Sequence, residues 1–126
     1  MNDVICYSRK KFDYRIIDIT GDIELEDVNY VKTYIDSNLD EGINSLVLNL
    51  ERVAYMNNSA LSLFIELMEE SRRKGTKFYL MNVTPRLDAL LIRANIKKYL
   101  TILESEELLT EQAKSNDLNA ILEESI

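Results

Sequence analysis

The chain has no histidine, one cysteine, one proline and three glycines among its 126 residues. Without histidine it cannot build a Ser-His-Asp triad, an imidazole general base or a His-ligated metal centre. Its single thiol, Cys6, can form neither a thiolate zinc site nor an internal disulfide, which fits a reducing compartment and sets a cytoplasmic expectation. Gly21, Gly42 and Gly75 are too dispersed for a phosphate-cradling loop or a dinucleotide fingerprint. No apolar run approaches the roughly 18 residues that a transmembrane helix requires. The first residues, Met1 to Tyr7, lack the basic start and long apolar stretch of a secretory signal. Membrane association is not expected.

What is abundant is negative charge. Twenty-two acidic residues against 15 basic ones give a net charge of −7. Such a surface repels phosphate backbones, so nucleic acid is a poor partner. A protein partner that is neutral or basic where it touches is favoured. The basic clusters Arg9-Lys10-Lys11 and Arg72-Arg73-Lys74 each lie beside a turn and read as solvated element ends. A composition of 46% hydrophobic and 29% charged residues is that of a folded protein, and the length suits one domain over 1–126. Carboxylates are plentiful, but no spacing marks them as a site. Neither catalysis nor a cofactor is expected.

The hydrophobic pattern alternates between strand and helix periods. Residues 4–7 and 14–20 are rich in β-branched and aromatic residues and predict two strands joined by a charged hairpin, with Gly21 as the next turn. Val28, Val31, Ile35 and Leu39 then recur at helical spacing, with Gly42 near that helix's end. Residues 46–50 form a continuous apolar strand of the kind buried in mid-sheet. After a loop, Asn57, Asn58 and Ser59 supply helix N-cap chemistry, and Leu61, Phe64, Ile65 and Met68 mark a second helical face. Residues 78–83 predict a further strand, and Thr84-Pro85 an N-cap followed by proline at the first helical position. Leu87, Leu90, Leu91 and Ala94 line the third helix, with Asn95 as its C-terminal cap, and residues 99–103 predict a last short strand. Beyond it an amphipathic tail, 106–126, carries Leu108, Leu109, Ala113, Leu118, Ile121 and Leu122, with a break at Ser115-Asn116-Asp117. The class is α/β: a central mixed sheet of four to five strands with helices packed on it.

Three blocks of this pattern resemble the bacterial anti-sigma factor antagonist (STAS) family. Leu46 through Leu61 resembles the family's central signature, a buried strand and apolar turn followed by Asp-Ser-Ser/Ala-Gly-Leu at a helix start. Thr20-Gly21-Asp22-Ile23-Glu24 is similar to its Gly-Glu-Leu-Asp segment, and Met81-Asn82-Val83-Thr84-Pro85 to its Val-Asn-Val-Ser-Pro. The likeness covers about residues 4–105, leaving 106–126 as an added helical tail. It implies a non-enzymatic module that sequesters an anti-sigma factor, commonly a serine kinase, and is released when that kinase phosphorylates the serine after the Asp. The partner surface implied here comprises Asp22, Glu24, Asn57, Asn58, Ser59 and Ser62.

The sequence departs from the family where regulation is written. Asn57 occupies the Asp position, Asn58 the phosphoacceptor position and Ala60 the Gly position. Asparagine has no hydroxyl to phosphorylate, so control at that slot is absent. Ser59 is the weaker substitute, because a one-residue shift turns a side chain by about 100° around a helix. Two readings of the asparagines stay open: plain helix caps, or neutral stand-ins for the unphosphorylated serine. Three roles also stay open: an antagonist-like module, a scaffold subunit among domains of the same fold, and a nucleotide or lipid sensor using a pocket between Asn58, Ser59 and the strand ends. The tail is expected to pack on the sheet, the alternative being a contribution to a homodimer.

Overall fold

The computed structural model describes residues 4–39 and 42–111. Five strands form one sheet in the order β1-β2-β3-β4-β5: Ile5–Lys11, Tyr14–Thr20, Ser45–Arg52, Lys77–Met81 and Ile102–Leu103. β1 and β2 are an antiparallel hairpin turning at Phe12, whose φ is 55°, and every later pair is parallel. Between the parallel strands run α1 (Val28–Ser37), α2 (Ser62–Lys74) and α3 (Pro85–Arg93). A fourth helix, α4, begins after β5 and occupies 106–111.

This topology dictates where the helices go. Parallel crossovers are right-handed, and the strands are added in sequence order in one direction, so all three connecting helices land on one face of the sheet. That face holds the main core: Ile17, Ile19, Leu46, Leu48, Leu50 and Leu80 from the strands meet Val31, Ile35, Leu63, Phe64, Leu67, Leu87 and Leu91 from the helices. Alternate strand residues point the other way. Tyr14, Ile16, Val47, Tyr79 and Met81 form a second, smaller cluster, closed among the described residues by Leu103 and by Leu109 of α4. Leu109 thus packs on the sheet as the tail was expected to; Ala113, Leu118, Ile121 and Leu122 lie outside the described residues.

Several boundaries move from their expected places. β1 is longer than expected and ends in Arg9-Lys10-Lys11, which lie beside the turn as read from the sequence, with Lys10 exposed and Arg9 and Lys11 half-buried. Arg9 donates to both oxygens of Asp18 (Nε at 2.7 Å, Nη2 at 3.1 Å) and, through Nη2 at 2.5 Å and Nη1 at 3.1 Å, to both oxygens of Glu106 on α4. Lys11 adds a third donor to Glu106 at 2.9 Å. The buried face of α2 runs through Leu63, Phe64 and Leu67, leaving Ile65 and Met68 only half-buried. The helix reaches that phase because a 3-10 turn, Asn58–Leu61, precedes its first α turn. β4 stops at Met81 because Asn82 takes a left-handed φ of 57°, and the predicted last strand shortens to two residues after a 3-10 turn, Lys97–Tyr99. Cys6 is a packing residue; burial pushes its thiol up to about 11.

The clamp on α4 has a pH signature. Hydrogen bonds from Arg9 hold the Glu106 carboxyl at about 2, well below its ordinary 4.5. A carboxylate depressed in the folded state contributes stability above its unfolded pKa and loses it as pH falls towards the folded one. Because the pair is partly solvated, the contribution is about 1 kcal/mol, not the full linkage value. Glu106→Gln is expected to lower urea-unfolding stability by about that amount near pH 6, and by little near pH 2.

Candidate functional site

Neighbouring parallel strands place their following loops on the same edge of a sheet. The loop after β2 and the loop after β3 therefore meet. The meeting is an isolated parallel bridge between Ile23 and Met56. Ile23 N–H donates to the Tyr55 carbonyl at 3.0 Å, and Asn57 N–H donates to the Ile23 carbonyl at 2.9 Å. Asp22 and Glu24, flanking the fully buried Ile23, are thereby fixed beside Asn57 although more than 30 positions precede it in the chain. The bridge brings the 22–24 segment to the start of the 3-10 turn that carries Asn58 and Ser59.

Asn57 organises the helix start. Its backbone is extended (φ −61°, ψ 141°) and its side-chain Oδ1 accepts from Ser59 N–H at 2.8 Å, while its carbonyl accepts from Ala60 and Leu61 at 2.8 and 3.2 Å. This is N-capping as the sequence predicted. Ala60 is fully buried and needs no positive φ, so the expected glycine is dispensable here. Asn58 and Ser59 are exposed. Ser62 is exposed too, but its hydroxyl donates back to the Ser59 carbonyl at 2.7 Å. Asn57→Ala is expected to cost about 1 kcal/mol in chemical denaturation, since it removes only the cap to Ser59, and Asn57→Asp should keep it.

Next to this turn a cleft of about 500 Å³ runs between α2 and the end of α3. Asn58, Leu61, Ser62 and Ile65 line one wall, Ala94 and Ile96 the other, and Glu66 and Glu69 supply its charge. Ile65 was expected in the core and Ala94 on the buried face of α3; the cleft explains why Ile65 is only half-buried and Ala94 exposed. No short-range signal could have found this groove, because its walls come from helices separated by a strand.

The ligand pocket expected between Asn58, Ser59 and the strand ends is divided in two. At the carboxyl ends of β2, β3 and β4 a separate cleft of about 380 Å³ is lined by Arg9, Asp18, Thr20, Asn49, Arg52 and Asn82 among others, but not by Asn58 or Ser59. Its polar groups largely satisfy one another. Asn49 Nδ2 donates to Asp18 Oδ1 at 2.8 Å, and Asn82 Nδ2 donates to Asn49 Oδ1 at 3.0 Å. Among the described residues no group of three or more acidic, histidine or cysteine side chains could hold a metal ion, and no helix is long and apolar enough to cross a membrane.

The family model of the STAS domain matches residues 8–109, which spans both loops, the second half of β1 and the four later strands. The chain belongs to the STAS domain family. Among curated relatives, this STAS domain is 21% identical over 92 residues to an anti-sigma-B factor antagonist of Staphylococcus aureus, covering 73% of this chain and 85% of that protein. Its fold matches the anti-sigma factor antagonist SpoIIAA in its unphosphorylated form with a TM-score of 0.71 at 15% identity, over 87% of this chain and 97% of that one. An anti-sigma factor antagonist from Mycobacterium paratuberculosis matches with a TM-score of 0.74 at 14% identity, over 86% and 93% of the two chains. The α/β sandwich with a mixed five-stranded sheet is therefore the STAS fold expected from the sequence.

Proposed function

We propose that this STAS domain is an anti-sigma factor antagonist-like binding module, docking an anti-sigma factor or related signalling protein on the surface of Asp22, Glu24, Asn57, Asn58, Ser59 and Ser62. The observation that carries this reading is the Ile23–Met56 bridge, which sets two distant segments side by side next to the exposed Asn58 and Ser59. The relatives' role as antagonists of anti-sigma factors supports it. The neighbouring cleft offers apolar Leu61, Ile65 and Ile96 under Glu66 and Glu69, which suits a partner with an apolar insert and basic flanks.

The module is constitutive at the usual switch. Asn58 is exposed at the start of the 3-10 turn, where a phosphorylated serine would project, yet it has no hydroxyl to modify. Being neutral, short and hydrogen-bonding, it maintains the state that an unphosphorylated serine would confer. The test is affinity capture of the native protein from its own cells with ATP or ADP present, followed by mass spectrometry. Stoichiometric recovery of a small ATP-binding, kinase-like protein supports the reading. Recovery of only this chain, or of other STAS domains, moves the role to a scaffold.

A further inference from the structure

The amino end of the sheet carries a second cleft whose chemistry is opposite to that of the proposed partner surface. It lies between the end of α2, the start of β4 and the segment entering β5, with a volume of about 370 Å³. Arg72 and Lys77 supply cations, and Ser71, Thr76, Tyr99 and Thr101 supply hydroxyls; none of its lining residues is acidic. On a chain of net charge −7 that is an anomaly. Two other clefts contain carboxylates, Glu66 and Glu69 in one and Asp18, Glu51 and Glu106 in the other.

Three further observations give the cleft a direction. First, Arg9, Lys11, Lys32, Lys74 and Lys97 all pair with carboxylates, whereas Arg72 and Lys77 have no such partner among the described residues. The side chain of Arg72 donates a hydrogen bond to Met68 Sδ at 3.4 Å. Second, Ser71 is only 7% exposed, so its side chain is held in place in the wall of the cleft. Third, the peptide oxygens of Ser71 and Arg72 at the end of α2 are already used: Gly75 N–H donates to the Arg72 carbonyl at 3.3 Å and Thr76 N–H to the Ser71 carbonyl at 2.8 Å. Gly75, at φ 72°, makes this closing turn, so the helix end presents little bare negative dipole to an anion.

We propose that this cleft binds a phosphate monoester. The Arg72 guanidinium offers a planar fork to two phosphate oxygens, Lys77 a point charge, and the hydroxyls of Ser71, Thr76 and Thr101 the remaining donors. Tyr99, 55% exposed at the rim, provides a flat surface for an aromatic group on the ester, and Lys98 Nζ, 5.2 Å from its ring centroid, adds a third cation. The site is independent of the partner surface, which follows the opposite, carboxyl end of the strands.

The test is an NMR titration of the ¹⁵N-labelled full chain with inorganic phosphate and with phenyl phosphate, at ionic strength fixed with chloride. Saturable shifts of the Thr76, Lys77 and Thr101 amides are expected, with half-saturation in the millimolar range or below. Tighter binding of phenyl phosphate assigns an aromatic ester as the ligand; equal binding assigns the bare phosphoryl group. The double substitution Arg72→Ala, Lys77→Ala should weaken binding at least tenfold without changing the melting temperature, because both side chains are exposed. Asn58→Asp should leave the titration unchanged. Shifts that do not saturate, that persist in the double variant, or that appear equally with chloride alone overturn the proposal.

Discussion

Asn58→Asp is expected to weaken binding of the partner by at least tenfold, about 1.4 kcal/mol, while leaving the free protein as stable as before or slightly more stable. The two effects have opposite signs for one reason. Position 58 opens the 3-10 turn that leads into α2, so a carboxylate there lies at the positive end of the helix dipole and is stabilised by a few tenths of a kcal/mol in the free chain. In a complex the same charge joins Asp22 and Glu24 under the partner and loses its water. Calorimetric titration of the captured partner, set beside thermal unfolding of the variant alone, separates the effects. Unchanged affinity would show that this surface is not the interface. Asn58→Ser is the complementary variant: it should bind as the native protein does and accept phosphate from a cognate serine kinase, after which binding should fall.

Ile23→Ala is expected to destabilise the fold by about 2–4 kcal/mol, a large part of the roughly 5–15 kcal/mol that holds a domain of this size together. Ile23 is fully buried in the main core, and its backbone makes the bridge to Met56. The backbone hydrogen bonds to Tyr55 and Asn57 survive the substitution, so the chain should still fold, with the 22–24 segment loosened over the cavity left behind. Urea unfolding measures the loss of stability. Partner affinity measured well below the unfolding midpoint should fall as well, because Asp22 and Glu24 are held less rigidly beside Asn57. Ile23→Val, expected to cost about 1 kcal/mol, should retain that affinity. A partner that binds Ile23→Ala as tightly as the native chain would show that the loop after β2 does not contribute to the surface.

Both predictions depend on features that differ in how far they could be read along the chain. The Asn57 cap, the Thr84 cap with proline behind it, and the left-handed Asn95 and Gly75 were legible because each is decided within about four residues. The order of strands and helices was legible too, because the change of hydrophobic period survives in any one stretch. Element limits were less so. The end of β4 follows from one left-handed residue, Asn82, in an otherwise strand-like run. Ile65 looked like core because its spacing from Leu61 is helical; the intervening 3-10 turn and the cleft beside α3 decide otherwise.

By itself the sequence determined the α/β class, the helix caps and the absence of a hydroxyl at position 58, because each is a property of local chemistry or of hydrophobic period. Only the tertiary structure decided that Asp22 and Glu24 stand beside Asn57, that Arg9 clamps Glu106 across 97 positions, and that Ser71, Lys77 and Thr101 share an acid-free cleft. Those pairings depend on strand order and crossover handedness. They bring together residues with no local interaction, so no window of sequence shorter than the whole sheet contains them.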